Sequence, residues 1–110
     1  MQSGITKSIL LVDDDKDILS FLTYNLRKEG YKVFTATNGE EAIAQVKKIQ
    51  PSLILLDVMM PILDGIETCR LIRSLRLNEE PIIAMLTARS EEYSEIAGFE
   101  AGADDYINKP

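Results

Sequence analysis

The chain predicts an α/β fold, a parallel sheet wound on both faces by helices, and three observations lead there. Apolar runs of strand length alternate with amphipathic helical patterns from one end to the other. The runs at 9–12, 53–56 and 82–86 are apolar at every position, as central parallel strands covered on both faces must be. Strands separated by helices of this length join through right-handed crossovers, which keeps them parallel in one sheet. With 110 residues, the chain reads as one domain over 1–110, large enough for a core without disulfide or metal staples.

Each element has its own signal. Ile9-Leu10-Leu11-Val12 is the first strand and stops at Asp13-Asp14. Asp15 is placed to cap a first helix with the apolar face Ile18, Leu19, Leu22 and Leu26, which Gly30 closes. Lys32-Val33-Phe34-Thr35-Ala36 mixes polar and apolar positions, the pattern of a less covered edge strand. Asn38 with Glu41 three residues later is a capping pair for a second helix, whose face is Ala42, Ile43, Val46 and Ile49. Leu53-Ile54-Leu55-Leu56 ends in Asp57, and Asp64 with Glu67 opens a third helix carrying Ile66, Cys69, Ile72 and Leu75. Ile82-Ile83-Ala84-Met85-Leu86 ends in Thr87. Ser90 is the expected cap of a fourth helix that ends between Gly98 and Gly102, with Glu91, Glu92 and Glu95 on its first turn and exposed face. Tyr106-Ile107-Asn108 forms a short fifth strand ending in Lys109, and no segment for a fifth helix follows Pro110. The expectation is a domain truncated before its final helix, with one sheet face short of a cover.

Composition removes several function classes. A formal net charge of −6 argues against a nucleic-acid or anionic-membrane surface on this domain. No apolar run reaches membrane-spanning length, and the N-terminus lacks the basic-then-apolar pattern of a signal peptide. The single Cys69 has no internal disulfide partner, which points to a reducing, cytoplasmic setting. With no histidine in the chain, a zinc site or a histidine general base is not expected.

In a parallel α/β sheet the ligand crevice lies outside the carboxyl ends of the strands. Four strand ends would therefore bring together Asp13, Asp14, Asp57, Thr87 and Lys109. Three neighbouring carboxylates repel one another, and a hard divalent cation relieves that repulsion. Magnesium takes oxygen ligands from one or two carboxylates, waters and a phosphate, so the set suits Mg2+ and a phosphoryl group. Lys109 is expected to pair with Asp57 at rest and with a phosphoryl oxygen afterwards. The Thr87 hydroxyl and the Ala88 backbone amide are candidate donors to that same oxygen. Asp104-Asp105 precedes the fifth strand and is expected at the opposite end of the sheet as a solvated turn. Cys69 reads as a core residue, and Met59-Met60 lacks the partners of a thioether metal site.

The segments Leu11-Val12-Asp13-Asp14-Asp15, Leu56-Asp57-Val58-Met59-Met60-Pro61 with Asp64-Gly65, Leu86-Thr87-Ala88, and Gly102-Ala103-Asp104-Asp105-Tyr106 through Lys109-Pro110 resemble response-regulator receiver domains. The resemblance runs from about Ile9 to the last residue with its motifs in order. It implies the flavodoxin-like strand order 2-1-3-4-5. It implies that Asp57 is the phosphoacceptor, served by a sensor histidine kinase, a phosphotransfer protein or a small donor such as acetyl phosphate. Mg2+ would be held by Asp14, Asp57 and the Met59 backbone carbonyl, with Asp13 acting through water. Thr87 and Tyr106 would be switch residues, the first turning toward the phosphoryl group and the second turning inward. Met59 and Arg89 occupy the two positions that tune phosphoryl lifetime in the family, and neither suggests rapid hydrolysis. The resemblance also implies a C-terminal winged-helix DNA-binding output domain and a phosphorylation-dependent homodimer in the full-length protein.

The expected role is a signalling phosphoacceptor with slow self-dephosphorylation, not a turnover enzyme. A phosphorylation-independent interaction module is the alternative, although Asp14, Asp57, Thr87 and Lys109 all stand where the acceptor chemistry wants them. An aspartyl-phosphate phosphatase is a weaker one, because such enzymes carry a second carboxylate two residues past the nucleophile and Met59 stands there. Nothing like a glycine-rich phosphate cradle follows the first strand, which counts against a nucleotide-binding domain.

Overall fold

The structure is a computed structural model and describes residues 7–87 and 92–109. Five strands, β1 (Ser8–Val12), β2 (Lys32–Ala36), β3 (Leu53–Asp57), β4 (Ile82–Thr87) and β5 (Asp105–Asn108), alternate with α1 (Lys16–Lys28), α2 (Gly39–Ile49), α3 (Gly65–Arg73) and α4 (Glu92–Ala101). All strand pairs are parallel, and the sheet order is β2-β1-β3-β4-β5. The doubly wound order inferred from the resemblance is the observed one, with four helices around the sheet and β2 on an edge.

Alternation along the strands divides the interior in two. Leu10, Val12, Ile54, Leu56, Ile83 and Met85 point to one side, where Ala42 and Val46 of α2, Cys69 and Ile72 of α3, and Ala101 of α4 cover them. Ile9, Leu11, Leu55, Ala84 and Leu86 point to the other, where Leu19, Leu22 and Leu26 of α1 pack. Among the described residues α1 is the only helix on that second side. There Ile82 and Ile107 are 56% and 43% exposed.

The helix ends follow the sequence signals with two refinements. Asp15 caps α1, its Oδ1 accepting from Asp17 N at 2.9 Å and Ile18 N at 3.3 Å. Gly30 takes φ +98° just past α1, a left-handed turn that glycine adopts without strain. Asn38 caps α2 by accepting from Glu41 N at 2.8 Å, but the Glu41 carboxylate reaches back one residue further than expected, to Thr37 N at 2.7 Å. Asp64 caps α3 through Glu67 N at 2.8 Å, while the Glu67 side chain pairs forward with Arg70. The expected Ser90 cap lies outside the described residues.

Asp105 and Asp104 lie exposed at the far end of the sheet, as expected, and Asp104 also makes specific contacts there. Its Oδ2 accepts from Ile83 N at 2.9 Å and from Arg73 Nη2 at 2.7 Å. Arg73 also donates to Gly102 O at 2.8 Å and Pro81 O at 2.7 Å, so one guanidinium ties α3 to the start of β4 and the turn before β5. The fork shape of the group allows it to serve several acceptors at once.

Candidate functional site

The carboxyl ends of β1, β3, β4 and β5 meet at one edge of the sheet, as the parallel arrangement requires. Asp13 follows β1 directly, and its N–H donates to Ala36 O of β2 at 3.1 Å, which continues the sheet pairing one residue beyond the strand. Asp57 closes β3, and the next residue, Val58, donates its N–H to Leu86 O at 3.1 Å. Lys109 N donates to Thr87 O at 2.8 Å, locking the end of β5 beside the end of β4. Backbone pairing therefore positions Asp13, Asp57 and Lys109.

Asp13 and Asp57 are buried, at 0% and 2% exposure, while Asp14 faces solvent. One ligand oxygen from each of the three lies within 4.8 Å of the others. The Lys109 ammonium sits against two of them, 3.0 Å from Asp57 Oδ1 and 3.1 Å from Asp13 Oδ2. The pairing with Asp57 matches the sequence expectation, and the equal approach to Asp13 was not foreseen. Asp13 Oδ1 accepts from Asp15 N at 2.9 Å, and Asp57 Oδ1 accepts from Met59 N at 3.4 Å. Among the described residues Asp57 Oδ2 is buried with no hydrogen-bond partner, and Asp13 Oδ2 has only the ammonium contact.

The electrostatics follow from that geometry. Burial pushes Asp57 up from 3.8 to about 6, and the Asp13 carboxylate adds to the rise while Lys109 and the Met59 N–H oppose it. Burial alone would pull the Lys109 ammonium down, but its hydrogen bonds to Asp57 and Asp13 and their charges win and hold it above the ordinary lysine value. One ammonium thus faces two buried carboxylates and an exposed third, an arrangement short of positive charge. Orphaned buried carboxylate oxygen is what a hard, oxygen-seeking cation relieves, so the donor set fits magnesium.

Thr87 is buried at the end of β4 in register with Asn108. Ala88 and Arg89 lie outside the described residues. Met59 exposes 64% of its surface and leaves a thioether where a hydrolytic enzyme would want its second carboxylate. Tyr106 is half-buried against the α2–α4 side of the core and paired in register with Met85. Sequence reasoning missed how Gly65 supports the acceptor strand. A β-carbon there would stand 2.0 Å from Asp57 O, so only glycine lets the start of α3 approach the backbone behind Asp57.

Among the described residues no helix is long and apolar enough to cross a membrane. A family model described as the response regulator receiver domain matches residues 9–110. The alkaline phosphatase synthesis transcriptional regulatory protein PhoP of Bacillus subtilis (strain 168) is 50% identical over 106 residues, which are 96% of this chain and 43% of that protein. The chain therefore spans less than half the length of that relative. A crystallised chemotaxis protein, CheY4 of Vibrio cholerae, superposes with a TM-score of 0.91 at 31% identity over 96% of this chain and 88% of that one. The receiver domain of Ssk1, solved with the histidine phosphotransfer protein Ypd1 of Saccharomyces cerevisiae, gives a TM-score of 0.85 at 30% identity over 96% of this chain and 79% of the other.

Proposed function

The chain belongs to the response-regulator receiver family, and from that premise we propose that it accepts a phosphoryl group on Asp57 in a magnesium-dependent reaction and so switches an attached or partner output. The observation that carries this reading is the state of Asp57. It is buried at a strand end, flanked by Asp13 and Lys109, and one of its carboxylate oxygens has no hydrogen-bond partner among the described residues.

In the proposed reaction an Asp57 oxygen attacks the phosphorus of a phosphohistidine. The new O–P bond forms as the P–N bond breaks, and the imidazole nitrogen keeps the electron pair. Asp14, Asp57 and the Met59 carbonyl would hold magnesium, with Asp13 acting through its waters. When bound, that ion neutralises the carboxylates and draws charge from the phosphoryl oxygens. Lys109 stays within reach of Asp57 and supplies an ammonium to the transferred group. Thr87 and the Ala88 amide would donate hydrogen bonds to it, and Tyr106 would reorient as Thr87 moves. This uptake from small donors and a slow release by water are the only catalysis proposed.

The partner class is a sensor histidine kinase or a phosphotransfer protein, a reading supported by the Ssk1 receiver, whose structure includes such a protein. The match to the transcriptional regulatory protein PhoP supports a role in transcriptional regulation, and a C-terminal DNA-binding output domain and a phosphorylation-dependent homodimer of the full-length protein are part of the proposal. A cytoplasmic location is part of the proposal, as the free buried Cys69 suits a reducing compartment.

Intact-mass analysis after incubation with acetyl phosphate, with and without magnesium, tests the reading. We expect one magnesium-dependent phosphoryl adduct that Asp57→Asn abolishes. An adduct that persists in the mutant overturns the acceptor assignment. No adduct on a folded chain points to a phosphorylation-independent interaction module instead.

A further inference from the structure

Helix α4 and strand β5 touch through a glycine. Gly98 is buried in α4, and the Tyr106 ring lies directly over it. A β-carbon on Gly98 would stand 2.2 Å from Tyr106 Oη, 2.7 Å from Cε1 and 2.8 Å from Cζ. Phe99 flanks the same ring, with centroids 5.3 Å apart and planes tilted by 50°. Gly98 does not take a positive φ, unlike Gly30 and Gly102, so its backbone does not call for glycine. Alanine is also the better helix former at an interior position. The close approach of Tyr106 is what residue 98 accommodates.

The atoms that a side chain would meet matter as much as the distances. At Gly65 they are backbone atoms of Asp57 and Val58, which have nowhere to go. At Gly98 all three belong to the far end of one side chain, so the ring can yield while the fold stands. That ring is also tied to the acceptor site through a short piece of chain. Three residues beyond Tyr106, Lys109 holds Asp57 at 3.0 Å and Thr87 O through its own N–H at 2.8 Å.

We propose that Gly98 is the positioning residue for Tyr106: its missing side chain is the seat on which the ring rests against α4, and residue 98 thereby sets the balance between seated and displaced ring positions. A side chain at 98 unseats the ring and re-weights the states that phosphoryl binding selects between. The steric half of this inference stands on the packing alone. The functional half rests on the phosphoacceptor reading of Asp57.

Four proteins test it: wild type, Gly98→Ala, Tyr106→Ala and the double mutant. Each is followed by denaturant midpoint, by the tyrosine NMR signals where Tyr106 remains, and by titration with beryllofluoride, a phosphoryl mimic, in magnesium. We expect Gly98→Ala to move the Tyr106 signals and to change beryllofluoride affinity by about fivefold or more. In the Tyr106→Ala background the same substitution should change affinity less than about twofold and should raise the midpoint, because only helix preference remains. Equal effects in both backgrounds, or unmoved Tyr106 signals, overturn the proposal. If Gly98→Ala fails to fold, a folded double mutant supports the seat and an unfolded one overturns it. If no protein binds beryllofluoride, the acceptor reading fails, while the tyrosine signals and midpoints still decide the seat.

Discussion

Asp57 is a carboxyl group buried at a strand end, and that single fact links the chemistry of the site to the stability of the chain. Its pKa is about 6 in the folded protein against 3.8 for the free side chain. A raised carboxyl contributes stability that is complete below the unfolded value and is lost as pH climbs through the folded one. For Asp57 that window runs from about pH 4 to about pH 6. Above it the metal-free protein carries a penalty on the order of 3 kcal/mol, by about 1.4 kcal/mol per unit. Lys109 is also raised, but its contribution is present throughout the neutral range and fades only above the ordinary lysine value. Without magnesium, Asp57→Asn should therefore stabilise the chain at pH 7.5 by about 1–3 kcal/mol, with part of the gain offset by the loss of the Lys109 ion pair. At pH 5 that difference should shrink. Urea midpoints of both proteins at the two pH values check it, and an advantage independent of pH would mean that Asp57 ionisation is not the cause.

At the scale of elements, the two ends of the sheet are held by different means. At the carboxyl end the strands extend their backbone pairing by a residue, as Asp13 N to Ala36 O, Val58 N to Leu86 O and Lys109 N to Thr87 O demonstrate. At the amino end a side chain does the work. Arg73 serves Gly102 O, Pro81 O, Glu80 and Asp104 together, so α3, β4 and the α4–β5 turn share one anchor. Lysine would keep the charge and lose the fork. Arg73→Lys should cost about 1–3 kcal/mol, because partly buried carbonyls at Gly102 and Pro81 lose donors. Chemical denaturation measures this directly, and a loss below about 0.5 kcal/mol would show that water replaces the guanidinium with little cost.

Over the whole molecule, the acidic edge and the fold are thermodynamically linked. A ligand that binds the folded chain and not the unfolded one stabilises it by about 2.7 kcal/mol at a hundred times its dissociation constant. Magnesium should therefore raise the denaturant midpoint of the wild type. Asp14 is exposed, and replacing it removes a proposed ligand without opening the core. Asp14→Ala should abolish the magnesium-dependent gain while leaving metal-free stability within about 0.5 kcal/mol of wild type. A full gain in the mutant would remove Asp14 from the ligand set.

The sequence by itself determined the α/β class, the strands to within one residue at an end, the caps at Asp15, Asn38 and Asp64, and the gathering of Asp13, Asp14, Asp57, Thr87 and Lys109 at one edge. These are local or topological properties. Apolar period marks a strand, a capping side chain reaches only its own helix, and parallel strands must end together. The strand order came from family resemblance, since periodicity says nothing about which strands are neighbours. Tertiary structure alone decided that Lys109 bridges two carboxylates, that Arg73 seeks Asp104 thirty-one residues away, and that Gly65 and Gly98 admit the Asp57 backbone and the Tyr106 ring. Those facts depend on distances between residues far apart in the chain. They are fixed when helices settle on the sheet, and no local pattern carries them.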